Sequence, residues 1–189
     1  RHEKIFTSRD EEGSVEYVNY LSEVPLSSGS FTLMARTNGY VSEMANYLRS
    51  NGFKFSRNGK SSLSDDMVGN ILTWDTLCQD KSVGVQQLKA LYSGVKKQGK
   101  DAVVRRGSTQ LLDALAPDDM LDMDTLIKDY GLQRDASTSA YDALNVASSE
   151  RDYIDAIFRR GEDLLSSPRI KVSTFHAMKG GEDDNCVVW

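Results

Sequence analysis

The chain has 189 residues, with 28 acidic against 23 basic side chains, a formal net charge of -5 and 39% hydrophobic residues. That is enough to bury a real core in one domain or two small ones. The low proline content argues against a disordered or collagen-like chain, and no apolar run approaches the ~20 residues that cross a bilayer.

In chain order, Lys4-Ile5-Phe6-Thr7 is a short strand candidate, and residues 12–24 read as a helix through Val15, Val18, Leu21 and Val24. Pro25 and Ser27-Ser28-Gly29-Ser30 break it. Phe31-Thr32-Leu33-Met34-Ala35 is an apolar run of strand length, expected to be buried on both faces. A helix follows, with Val41, Met44, Ala45 and Leu48 on one face, and ends at Asn51-Gly52. Strand, helix and strand at this spacing suggest a βαβ unit. From residue 63 to about 165 the pattern is helical. Its four stripes are Met67, Ile71, Trp74 and Leu77-Cys78; Leu88, Leu91, Tyr92 and Val95; Leu111, Leu112 and Leu115; and Tyr153, Ile154, Ile157 and Phe158. Ser149-Glu150-Arg151-Asp152 resembles a capping box opening the last of these helices. Strand character returns in Arg169-Ile170-Lys171-Val172-Ser173-Thr174 and in Cys186-Val187-Val188-Trp189. The expected architecture is an α/β layer at both chain ends with a helical insertion between. The start at Arg1 and the stop inside an apparent strand suggest a piece of something longer.

An acidic chain binds nucleic acid only through a local basic surface or a second domain. One such surface is the segment 89–106, where Lys89, Lys96, Lys97, Lys100, Arg105 and Arg106 stand against Asp101. It is followed by six aspartates against Lys128 in 113–129, so two solvated faces attracting one another explain the pattern as well. Gly59-Lys60-Ser61 looks like part of a phosphate loop, but the first glycine of that motif falls on Lys54, so the nest of backbone donors cannot form. Two cysteines, Cys78 and Cys186, make no disulfide framework, and Cys186 is expected to be a small buried strand residue. His176 has no second His or Cys at ligand spacing, so no metal site is expected. Glu182, Asp183 and Asp184 are explained by a polar turn at least as well as by a metal. That turn is informative in another way. Thr174 and His176 arrive at the carboxyl end of a strand, where ligands sit in open α/β sheets, while Lys179 offers a charge suited to phosphate and Glu182 an acceptor for a ribose hydroxyl.

Thr174-Phe175-His176-Ala177-Met178-Lys179-Gly180-Gly181-Glu182 resembles motif V of the UvrD/Rep-type superfamily 1 DNA helicases, which reads roughly Thr-hydrophobic-His-x-x-Lys-Gly-Leu-Glu between two sheet strands. Leu33-Met34-Ala35-Arg36-Thr37-Asn38 resembles the strand-plus-Arg-Thr-Asn element of the same helicases. Leu48-Arg49-Ser50-Asn51-Gly52-Phe53 resembles the Leu-x-x-x-Gly-aromatic stretch after its helix. The resemblance implies a partial RecA-like parallel sheet, with residues 1–62 as the first part of the second motor domain, 63–165 as its helical 2B-type insertion, and 166–189 as the return carrying motif V. It implies that Arg36, Asn38 and His176 contact single-stranded DNA, with Thr174 and Lys179 close to its backbone. Gly180 and Glu182 would touch ATP, and Lys96, Lys97, Lys100, Arg105 and Arg106 could meet duplex DNA. Asn38 has a second reading as the cap of a helix beginning near Tyr40. Gly181 departs from the usual Leu.

The implied protein is an ATP-dependent DNA helicase, moving 3′ to 5′, in the cytoplasm of a prokaryote or a phage-infected host. ATP and magnesium would belong to the full-length enzyme, its partners being single-stranded and forked DNA and the first RecA-like domain of the same chain. The phosphate loop, the Asp-Glu pair, the Gln-x-x-Arg element and the arginine motif VI are not found in these residues, so the segment alone is expected not to hydrolyse ATP. A helicase–nuclease subunit, an inactive helicase-like docking domain and a standalone α/β binding domain are the alternatives.

Overall fold

In the computed structural model, which describes residues 12–178 and 183–189, the first apolar run becomes strand β1 (Phe31–Ala35). Helix α1 (Asn38–Ser50) packs Val41, Met44, Ala45 and Leu48 inward, the face expected from their spacing. Strand β2 (Phe55–Arg57) and strand β3 (Lys60–Ser61) form an antiparallel hairpin. Helix α2 (Asp65–Cys78), capped by Ser64, buries Ile71, Trp74 and Leu77. Strand β4 (Val83–Gly84) leads into helix α3 (Val85–Gly94). Then come helix α4 (Thr109–Leu112), strand β5 (Met120–Leu121), helix α5 (Met123–Asp129) and helix α6 (Ala140–Ala143). Helix α7 (Ser148–Arg160) ends this mainly helical stretch, and strands β6 (Ile170–Thr174) and β7 (Asn185–Val188) return to the sheet.

The protein is therefore α/β, with a mixed five-stranded sheet ordered β3-β2-β6-β1-β7 and flanking helices. Strands β2, β6, β1 and β7 are mutually parallel, and only β3 runs against them. The unit β1-α1-β2 is a βαβ crossover, but its two strands are not neighbours: β6 lies between them. A separate pair, β4 with β5, sits within the helical stretch.

Buried apolar side chains of the sheet and of the helical stretch form one continuous cluster, from Leu21 and Leu33 through Trp74, Leu88 and Ile157 to Val172. Each such side chain contributes on the order of 1.5–3 kcal/mol. The helical stretch is fastened to the sheet by polar contacts as well. The Tyr153 hydroxyl donates to the Phe53 carbonyl (2.7 Å) and lies 2.7 Å from Ser62 Oγ. The Arg160 guanidinium stacks on the Phe53 ring at 3.6 Å. Lys54 is buried and donates its ammonium to the carbonyls of Leu164 and Ser166, pinning the segment that leads back to β6.

Several expectations are corrected. Residues 12–18 are not helical, and among the described residues before β1 the only helical turn is a 3-10 turn at Leu21–Glu23. Val15 and Val18 are exposed and only the later part of the stripe, Leu21 and Val24, reaches the core, and a short helix with three valines has little intrinsic stability. The third helical stripe shrinks to α4, with Leu111 exposed, and Phe158 also faces solvent. Helix α7 starts at Ser148 with Ala147 as its cap residue, so Ser149 lies inside the first turn and forms no capping box. Cys186 is exposed rather than buried, because β7 is an edge strand. The strand expected at 4–7 lies outside the described residues. No helix among the described residues is long and apolar enough to cross a membrane.

Candidate functional site

Strands β1 and β6 are parallel neighbours with Ala35 opposite Thr174, so the residues that follow them emerge side by side. The Phe175 amide donates to the Ala35 carbonyl (3.2 Å), extending the ladder one step past the strand ends. The Thr174 carbonyl accepts from the amides of Ala177 (3.1 Å) and Met178 (3.2 Å), which folds the next residues into a turn. The path out of β1 leads through α1 to β2, beyond β6, whereas the path out of β6 leads to β7, beyond β1. Parallel neighbours whose connections depart in opposite directions open a crevice at their carboxyl ends.

Arg36, Thr37 and Asn38 line one side of this crevice, and Phe175 and His176 the other. All five are exposed, while Thr174 is half-buried. Thr37, in extended conformation, is the residue that caps α1: its Oγ1 accepts from the Tyr40 amide (3.5 Å) and its carbonyl from the Val41 amide (3.1 Å). The helix starts at Asn38, one or two positions earlier than expected, so Asn38 is not its cap. The amino end of α1, with its partial positive charge, lies two residues after the exposed Arg36, and a helix amino end beside a cationic residue favours an anion.

Aromatic rings flank the same edge. Tyr40 is 48% and Phe175 37% exposed, and the Trp189 amide donates to the Met34 carbonyl (2.8 Å) on the far side of β1. Sequence reasoning passes over Tyr40 and Trp189 as contacts. The signal available was an aromatic ring two residues beyond the Arg-Thr-Asn element. Cationic and hydrogen-bonding groups beside exposed rings suit a phosphate-linked chain of bases.

Lys179, Gly180 and Glu182 lie outside the described residues. Asp183 and Asp184 are engaged as acceptors within the fold. Asp183 accepts from Thr32 Oγ1 (2.8 Å) and Lys171 Nζ (3.1 Å), and Asp184 from Ser30 Oγ (2.9 Å). Burial alone would raise the Asp183 pKa, but the hydrogen bonds from the Thr32 hydroxyl and from Lys171, with the lysine charge, hold it at about 2. Among the described residues no group of three His, Cys, Asp or Glu side chains is placed to hold a metal ion.

In the basic segment, Lys96, Lys100, Arg105 and Arg106 are exposed and Lys97 is half-buried. Acidic side chains are interleaved with it: Lys96 lies 4.0 Å from Asp101, and Lys89 pairs with Asp113 at 2.9 Å, tying the basic run to the acidic one. Comparison of the chain with protein-family models, with curated proteins and with solved structures gives no match.

Proposed function

We propose that this chain is part of an ATP-dependent DNA helicase of the UvrD/Rep type, comprising part of the second RecA-like motor domain with a 2B-type helical insertion. One observation carries the proposal: the two segments that resemble helicase motifs, far apart in sequence, adjoin at the carboxyl ends of β1 and β6. Arg36 and Asn38 would hold phosphates of a single strand beside the amino end of α1. His176 would contact the same strand from the neighbouring turn, and Thr174 would support that turn through its carbonyl. Tyr40 and Phe175 supply rings against which bases can stack.

The residues expected at ATP, Gly180 and Glu182, fall outside the described residues, and no described cluster fits magnesium. No hydrolytic step is therefore derived, and ATP turnover is assigned to the full-length protein with its facing motor domain. Movement from 3′ to 5′ and duplex contact by Lys96, Lys97, Lys100, Arg105 and Arg106 belong to the same proposal.

The test is ATP hydrolysis by the full-length protein with and without single-stranded DNA, in wild type and in His176→Ala. The variant is expected to keep its basal rate and lose about tenfold of the stimulation, within the range for losing a contact that positions a reacting system. Unchanged stimulation would remove His176 from the role. A forked-DNA arm with Lys100→Glu and Arg105→Glu tests the duplex contact, which fails if the salt dependence of binding does not change.

A further inference from the structure

Gly59-Lys60-Ser61 fails as a phosphate loop, yet the structure gives Lys60 a different setting. Asn58 (φ 52°) and Gly59 (φ 76°) form a two-residue turn with both residues left-handed, the hairpin geometry that matches strand twist. Arg57 and Lys60 are thereby placed directly opposite one another on the ladder, with their side chains on the same face. Like charges directly opposite destabilise a hairpin. Among the described residues no carboxylate lies within ion-pair distance of either cation.

The two cations border an open groove of about 620 Å³ between the hairpin and α1, whose described lining contains no carboxylate. Asn46 and Ser61 add neutral hydrogen-bonding groups. Arg49 also borders it, but its charge is already engaged by Glu150 and by the Tyr153 ring. The Arg57 guanidinium donates to Ser42 Oγ (3.2 Å), which in turn donates to the Asn38 carbonyl (2.9 Å). Arg57 thereby reaches to within about one helical turn of Asn38, and at 1.5 Å per residue the groove residue Asn46 lies roughly 12 Å along α1 from it.

We propose that this groove is a second binding site, for the phosphodiester backbone of a single-stranded nucleic acid. Arg57 and Lys60 neutralise adjacent phosphates, and Asn46 and Ser61 donate to them. The occupant is a strand rather than an isolated anion because the groove is open, holds two cations side by side, and is linked through Arg57 and Ser42 to Asn38 at the crevice. It is nucleic acid rather than an acidic peptide because the way out of the groove leads to the crevice edge, where the exposed Tyr40 and Phe175 rings offer faces for bases. The inference does not require a motor, since it stands on the hairpin and the groove.

The experiment measures anisotropy of a fluorescein-labelled oligothymidylate with this chain over a series of salt concentrations. Wild type is expected to bind at low salt. The double variant Arg57→Gln/Lys60→Gln is expected to bind about tenfold more weakly, with a log–log salt slope shallower by about 1.4, from ~0.7 for each lost phosphate contact. Lys60→Gln alone is expected to raise Tm at low ionic strength in the absence of oligonucleotide, because it removes the repulsion. His176→Ala is expected to leave the groove's share of the slope in place, which separates this site from the crevice. The proposal is overturned by an unchanged slope and affinity in the folded double variant, by wild type that does not bind at low salt, or by a Tm that falls in Lys60→Gln. Equal competition by inorganic phosphate or by polyglutamate at matched charge would also overturn it.

Discussion

Gly52 shows how much a single position can settle. It follows the last residues of α1 with φ +69°, the left-handed conformation that often ends a helix. A Cβ built there would lie 2.4 Å from the Ala156 carbonyl oxygen, because the backbone of α7 crosses at that point. The Leu-x-x-x-Gly-aromatic stretch thus has a physical basis apart from any resemblance: Leu48 and Phe53 enter the core, and Gly52 lets α7 pass. Gly52→Ala combines the ~1–2 kcal/mol of a left-handed alanine with the ~1–3 kcal/mol of overpacking. It is expected to cost about 2–5 kcal/mol in urea denaturation. Gly59 is the internal control, since its φ is +76° but nothing lies within 4 Å of its missing Cβ, so Gly59→Ala should lose only the conformational part.

At the scale of elements, legibility followed length and partners. Helices α1, α2, α3 and α7 were readable because each carries an apolar face at helical spacing and packs it against the common core. Residues 12–24 carry a similar stripe, and it misled because only Leu21 and Val24 find the core, while Val15 and Val18 have no partner to bury against among the described residues. Strands β2, β3, β4 and β5 have two or three residues each, too few for alternation to register. The Asn58-Gly59 pair was a visible hairpin signal, overshadowed by the adjacent lysine. The start of β7 is held to the sheet by Asp183, and this fastening depends on pH. Its folded pKa of about 2 lies below the ordinary 3.8, so the folded state favours the carboxylate. The stabilisation is fully present above pH about 4 and is lost as pH falls through about 2. Asp183→Asn is expected to flatten that part of the stability-versus-pH curve in acid titrations followed by circular dichroism. An undiminished acid slope would show that other carboxylates carry it.

For the molecule as a whole, the candidate site was legible as two short motifs but not as a place. Nothing in the local pattern of β1 or β6 says that they are neighbours. That follows from pairing across the whole helical stretch, with β6 entering between β1 and β2. A chain truncated before Ile170 would leave β1 and β2 without the strand that joins them, exposing Leu33 and Phe55. Such a truncation is expected to lose the cooperative thermal transition of the full 189 residues, and a surviving sharp transition would show that the helical stretch folds on its own.

Strand order also sets a timetable for synthesis. A ribosome extrudes β1, α1 and β2 long before β6, so the nascent chain carries strand edges that cannot close onto each other and must stay separated by one strand's width. The residues of β6, which leave the exit tunnel only after the whole helical stretch, complete the middle of the sheet rather than extend its margin. Until they emerge, the two halves of the crevice do not exist as one surface, and the unfinished edges are open to pairing with other nascent chains.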